Sequence, residues 1–112
     1  MTLFEEYYRE REEAYTMKSE DFFLIYKILK DQIFIVDFFI SKNKRGTSLA
    51  RKIINDLEKI AIENKCNYLT GVIRGNDKGA SHTMLAALSL DFKIVSMNNG
   101  FCEIAKGVEW ET

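Results

Sequence analysis

The stretch "IFIVDFFISKNKRGTSLARKII", residues 33–54, decides the fold: an apolar run broken by one aspartate, then a basic, hydroxyl-bearing segment, then an amphipathic period. Residues 33–40 are apolar on both faces except at Asp37, which predicts a central strand. From Leu49 the period is helical: Leu49, Ala50, Ile53, Ile54, Leu57, Ile60 and Ala61 form a stripe opposed by Arg51, Lys52, Asp56, Glu58 and Lys59. The segment between them has small side chains at Gly46, Thr47, Ser48 and Ala50, with Leu49 among them, and charge at Lys42, Lys44 and Arg45. A helix N-terminus presents unpaired N–H groups and a partial positive charge, so small residues there let a phosphate approach closely. Arg45 can add a paired fork of donors. The same residues also read as an ordinary helix start with Thr47 or Ser48 as N-cap and solvated lysines. The G-x-x-x-x-G-K-[ST] phosphate loop is absent.

Working outward, "FFLIYKIL" at 22–29 and the run at 33–40 flank the short polar "KDQ", which predicts an antiparallel hairpin. "CNYLTGVI" at 66–73 is the next strand, "RGNDKGA" is loop, and "SHTMLAALSL" is a short helix opened by Ser81. "FKIVSM" and "FCEIAKGV" flank "NNG", and Asn-Gly between such runs is a strong hairpin signal. Upstream, Leu3, Phe4, Tyr7, Tyr8, Ala14 and Tyr15 lie along one stripe of residues 2–17, interrupted by Arg11, which predicts an aromatic amphipathic helix within residues 1–18. The order is α-β-β-α-β-α-β-β: an α/β fold with a mixed sheet and a central parallel pair, 33–40 beside 66–73. In such sheets ligands sit at the carboxyl ends of parallel strands, where residues 41–50 fall.

Composition narrows the function classes. The 112 residues, 46% hydrophobic and 29% charged, fit one domain over 1–112. Sixteen basic against seventeen acidic residues give no global attraction to nucleic acid or to an anionic membrane, so an anion site has to be local. No apolar run approaches spanning length and the first residues do not read as a secretory leader, so a cytosolic (cytoplasmic) protein is expected. Cys66 and Cys102 read as buried free thiols, and with one histidine they supply no zinc tetrad.

In this setting "RGTSLA", residues 45–50, resembles the Q/R-x-x-G-x-G/A signature of the GNAT superfamily of acyl-CoA N-acyltransferases. Arg45 takes the first place, Ala50 the last, and Ser48 replaces the middle glycine. "LDF" at 90–92 looks like the L-G-F that closes the family's second conserved segment. The resemblance covers about residues 22–105 and implies a GNAT-like fold that binds acetyl-CoA or another acyl-CoA. The pyrophosphate would lie on the amides of residues 46–50, with Lys44 and Arg45 beside it. Pantetheine would run along the strand at 33–40, touching backbone near Phe38, Phe39 and Ile40, where the family splays this strand from its parallel neighbour. The implied reaction is acyl transfer from CoA to a primary amine of a protein or small molecule.

The chain also departs from the family. Counted back from Phe92, Ala80 stands where the usual asparagine belongs and Ala87 where the usual general-acid tyrosine belongs. "SH" at 81 and 82 is similar to small phage-encoded GNAT-like proteins, and the N-terminal part is shorter than the family commonly has. Three residues remain as candidates for chemistry. Asp37 shares a strand face with Ile33, Ile35 and Phe39 by simple alternation, where burial would raise its pKa toward a useful base range. It reads equally as a structural carboxylate at a bulge or exposed edge. His82, the only histidine, begins the short helix as an acid or base, or as a plain capping residue. Tyr68 offers a hydroxyl to the leaving thiolate, or simply packs in its strand. The alternative to an enzyme is a non-catalytic GNAT-like binding or structural protein whose aromatic N-terminal stripe docks a protein partner. Edge strands leave a homodimer open.

Overall fold

The computed structural model describes Leu3 and residues 14–46, 48–74 and 80–108, with backbone alone for residues 80–82. Six strands form one sheet: β1 (Ala14–Lys18), β2 (Phe22–Leu29), β3 (Gln32–Ile40), β4 (Tyr68–Arg74), β5 (Lys93–Asn98) and β6 (Phe101–Gly107). Helix α1 (Leu49–Glu63) connects β3 to β4, and α2 (Ala80–Ser89) lies between β4 and β5. Spatially the order is β1-β2-β3-β4-β6-β5, so the apolar run of residues 33–40 is interior as its composition demands. β3 and β4 are parallel and the other neighbours antiparallel, which is the mixed sheet expected from the strand and helix order. The expected helix over residues 1–18 is corrected at its end, because Ala14–Lys18 is strand β1 paired with β2, and residues 1, 2 and 4–13 of that expectation lie outside the described residues. Tyr15 and Met17 fit either period, and pairing opposite Tyr26 and Leu24 decides for the strand.

Local chemistry accounts for the turns. β2 and β3 are joined by Lys30 and Asp31 alone, with Lys30 at φ 45. The β5–β6 turn is Asn99 and Gly100 at φ 49 and 82, the left-handed pair that an Asn-Gly turn supplies at low cost. α1 ends where Lys65 turns left-handed at φ 58, with Cys66 N–H donating to the Ala61 carbonyl at 2.8 Å and Lys65 N–H to that of Ile62 at 3.1 Å. That double bond is the Schellman stop, sealed by the buried contact partners Cys66 and Ala61. α2 ends the same way at "LDF": Asp91 is at φ 72 and Phe92 N–H donates to the Ala87 carbonyl at 3.1 Å.

Both helices share one core with one face of the sheet. Ile53, Ile54, Leu57 and Ala61 of α1 and Ala87 of α2 join Leu24, Ile33 and Leu69 there. Glu58 on α1 reaches Lys106 on β6 as an ion pair whose side chains are 18% and 17% exposed. The other face carries Phe23, Phe39, Val72 and Phe101 at substantial exposure, with Ala14 and Ile25 buried on the same face.

Candidate functional site

The site begins with one extra residue. On β3, Ile35 pairs with Tyr26 and Asp37 with Ile25, so Val36 has no partner of its own and forms a bulge. Before the bulge Ile33 and Ile35 face the helices, and after it Phe38 and Ile40 do. Simple alternation fails at this point, and the expected face of Asp37 is corrected. Asp37 shares a face with Phe39 but not with Ile33 or Ile35; it points away from the core and is exposed. The buried setting expected for Asp37 is therefore not where it lies. Its Oδ1 accepts from the Phe38 N–H at 2.9 Å.

At the same level the parallel pair parts. β3 and β4 pair only from Gln32↔Tyr68 to Ile35↔Gly71, although β3 continues along β2 to Ile40 and β4 continues along β6 to Arg74. The strands therefore diverge beyond residues 35 and 71, opening a wedge toward their carboxyl ends. Phe38, Ile40 and Ile73 line its helix side; Asp37, Phe39, Val72 and Arg74 line the other.

The chain leaves β3 through Ser41, whose N–H donates to the Asp21 carbonyl at 2.7 Å, and a single turn of 3-10 helix at Lys42–Lys44. Gly46 is at φ 80, where a side chain is strained, and the space its missing Cβ would enter is open. Ser48 precedes α1 at φ −76 without placing its hydroxyl on the first-turn amides, and no acidic residue stands in that turn. The expected Ser48 cap is therefore not formed, while Thr47 lies outside the described residues. The positive end of α1 is left without a neutralising carboxylate of its own first turn. Lys44, Gly46 and Ser48 are exposed, with Leu49 and Ala50 half-buried behind them.

Arg45 is turned back onto the sheet. Its Nε donates to the Ile40 carbonyl at 2.9 Å, and its guanidinium lies over the Phe39 ring, 5.2 Å from the centroid. Phe39 in turn stacks on Phe23 at 5.8 Å. Arg45 thus fastens the loop to the end of β3 and presents only its remaining N–H groups outward. Tyr68 does not join this cluster. It begins β4 opposite Gln32, at the closed end of the wedge, four residues or about 13 Å along the strand from Val72. His82 has its backbone in the first turn of α2, and its side chain lies outside the described residues. Ala87, the position of the family's usual tyrosine, is buried in the core.

Arg74 was not singled out from the sequence, where it reads as the first residue of a polar loop. It is the last residue of β4, its guanidinium 5.9 Å from the centroid of the Phe101 ring. The "IRG" boundary was the only sequence signal for it.

No family model matches the chain, and no curated protein matches it. Solved structures do. The PaiA N-acetyltransferase of Thermoplasma acidophilum, in complex with coenzyme A, superposes with a TM-score of 0.69 at 11% identity, covering 78% of this chain and 53% of that one. A Bacillus subtilis acetyltransferase in complex with CoA gives 0.67 at 12%, covering 93% and 82%. The ribosomal-protein-S18-alanine N-acetyltransferase of Escherichia coli gives 0.65 at 12%, covering 90% and 73%. The chain thus has the fold of the GNAT acetyltransferases, and it spans about half the length of the Thermoplasma protein.

Proposed function

We propose that this chain binds acetyl-CoA or a related acyl-CoA in the wedge between β3 and β4 and transfers the acyl group to a primary amine. The observation that carries this reading is the parting of the parallel pair at the Val36 bulge, immediately upstream of an α1 N-terminus that has no Ser48 cap. The fit to the group is specific. Gly46 leaves open space beside its backbone, and exposed Lys44 supplies charge at the same loop. The loop backbone at Gly46 and Ser48 would hold the pyrophosphate and the backbone of residues 38–40 the pantetheine arm, while Arg45 holds the loop in place. When bound, an acyl-CoA supplies an electrophilic thioester carbonyl and a thiolate leaving group.

The chain's own task is to deliver an uncharged amine and take up its proton. Asp37 is the exposed carboxylate at the level where the wedge opens, so it, or a water held there, would accept the ammonium proton. The new C–N bond replaces the C–S bond, the attacking nitrogen releases its second proton to solvent, and the thiolate takes its proton from solvent. The fold likeness to enzymes solved with coenzyme A supports the reading.

The alternative, a GNAT-like binding or structural protein without turnover, is favoured by one observation: Ala87 puts a methyl group in the core at the position of the family's usual acid. Calorimetry with acetyl-CoA and desulfo-CoA, followed by thiol release with an amine panel, separates the two. Binding with turnover that falls at least roughly ten-fold in Asp37→Asn at unchanged CoA affinity is the expected result. Binding without turnover leaves the non-catalytic reading, and no binding at millimolar ligand overturns both CoA-dependent versions.

A further inference from the structure

Resting on the acyl-transfer reading, the sheet face away from the helices carries a second pattern. Register places charged residues there in two rows across the wedge. At one level Ile25 lies beside Asp37, and across the opening Val72 lies beside Glu103. Two residues further along, Phe23 lies beside Phe39, and Arg74 beside Phe101. The rows are about 7 Å apart along the strands. The first carries two carboxylates. The second carries two guanidiniums, each on an aromatic ring: Arg45 over Phe39 and Arg74 over Phe101.

These four charges are not used among themselves. Among the described residues none of Asp37, Glu103, Arg45 and Arg74 forms an ion pair. Aromatic seats restrict the two guanidiniums to the rim, where a planar fork of donors matches a carboxylate. A simple polyamine would meet the acidic row favourably and the arginine row unfavourably. A molecule with both charges at short spacing meets both rows.

We propose that the acyl acceptor is a zwitterionic amine, an amino acid or other amino carboxylate, with its ammonium at Asp37 and its carboxylate held by Arg74. Arg45, already bonded to Ile40 through Nε, adds field more than contact. This orientation puts the nucleophilic nitrogen in the row where the strands part, next to the candidate base, and leaves the side chain of the acceptor over Phe39 and Phe23.

The test titrates the full chain, with and without saturating CoA, with L-amino acids and with their C-terminal amides, read by calorimetry and amide chemical shifts. At least one amino acid should bind roughly ten-fold tighter than its own amide, the size expected for a charge-assisted pair at a partly exposed site. Arg74→Gln should abolish that preference, and Arg74→Lys should restore part of it. Equal or better binding of the amides, a preference that survives Arg74→Gln, or no amino acid bound at about 10 mM, with or without CoA, overturns the proposal. The CoA titration is read separately. Amino-acid preference without CoA binding would sink the transfer reading alone, and CoA binding without the preference would sink the acceptor assignment alone.

Discussion

Deleting Val36 should leave the core intact and destroy the wedge. The bulge places two β3 residues opposite one interval of β2, so its removal converts Ile35 and Asp37 into direct neighbours without changing any pairing with β2. Phe38 still meets Leu24, and Ile40 still meets Phe22, so the helix-facing set is preserved. The direct loss is the half-buried side of Val36, which is 42% exposed, or about 1 kcal/mol. Deleting Thr70 of β4 is the contrasting perturbation, because β4 pairs with β6 in one unbroken register with no bulge to absorb the slip. Whichever side of the deletion shifts, a buried residue, Leu69 or Ile73, turns away from the core at about 2–5 kcal/mol. That cost is a large part of the roughly 5–15 kcal/mol that holds a whole domain together. Urea unfolding should therefore find the Val36 deletion folded and the Thr70 deletion severely destabilised or unfolded. Calorimetry should find that the folded Val36 deletion has lost most of its CoA affinity, since a regular β3 can rejoin β4. Equal destabilisation by the two deletions refutes the argument from strand faces, and a Val36 deletion that binds CoA like the parent refutes the argument from the wedge.

Two further outcomes follow from groups buried by the same fold. Replacing Glu58 by Ala should cost about 2–3 kcal/mol in urea unfolding because it strands a mostly buried Lys106 ammonium, whereas Glu58→Met with Lys106→Met should recover most of that; a single-site cost below about 0.5 would contradict it. Burial raises the Cys66 thiol above its ordinary 9.0, helped by Asp31, and burial raises Tyr26 above its ordinary 10.0, helped by Tyr15 and Glu63. In both cases the unfolded chain gives up its proton first, so their stabilisation is complete below those ordinary values and is lost as pH rises through the elevated ones. Thermal unfolding should weaken from about pH 9 upward, and Tyr26→Phe should make the fall above pH 10 shallower; a pH-independent midpoint across that range would contradict it.

The parts of the fold that were legible are those in which a short segment carries its own period. Leu49 to Ala61 can only bury a stripe as a helix, and "NNG" can only close a tight hairpin with ease, so α1 and the β5–β6 turn were readable. β1 was not, because its inward pair, Tyr15 and Met17, adjoins the aromatic stripe from Leu3 to Ala14, and a five-residue strand offers too little alternation to outvote it. The bulge was invisible for a sharper reason. Val36 is as good a strand residue as its neighbours, so nothing in "IFIVDFFI" marks where alternation resets. The face of Asp37 depended on that reset. Arg74 was missed because β4 extends one residue further than its apolar run, and only the pairing with Phe101 reveals it.

The departures from the GNAT pattern do not weigh equally once the backbone is known. Asp91 replaces a glycine at φ 72, and an aspartate tolerates the left-handed region better than most residues, so the stop that the glycine would supply is kept. Ser48 replaces another glycine but sits at φ −76, where any residue is comfortable; the left-handed turn is made two residues earlier by Gly46 at φ 80. Both replacements preserve geometry. Ala87 is different in kind, because a methyl group in the core has no proton to donate and no nearby rotation can supply one. If the chain turns over, the acid function has to come from solvent entering the wedge, and the exposure of Asp37 at the opening is the feature that makes such entry possible.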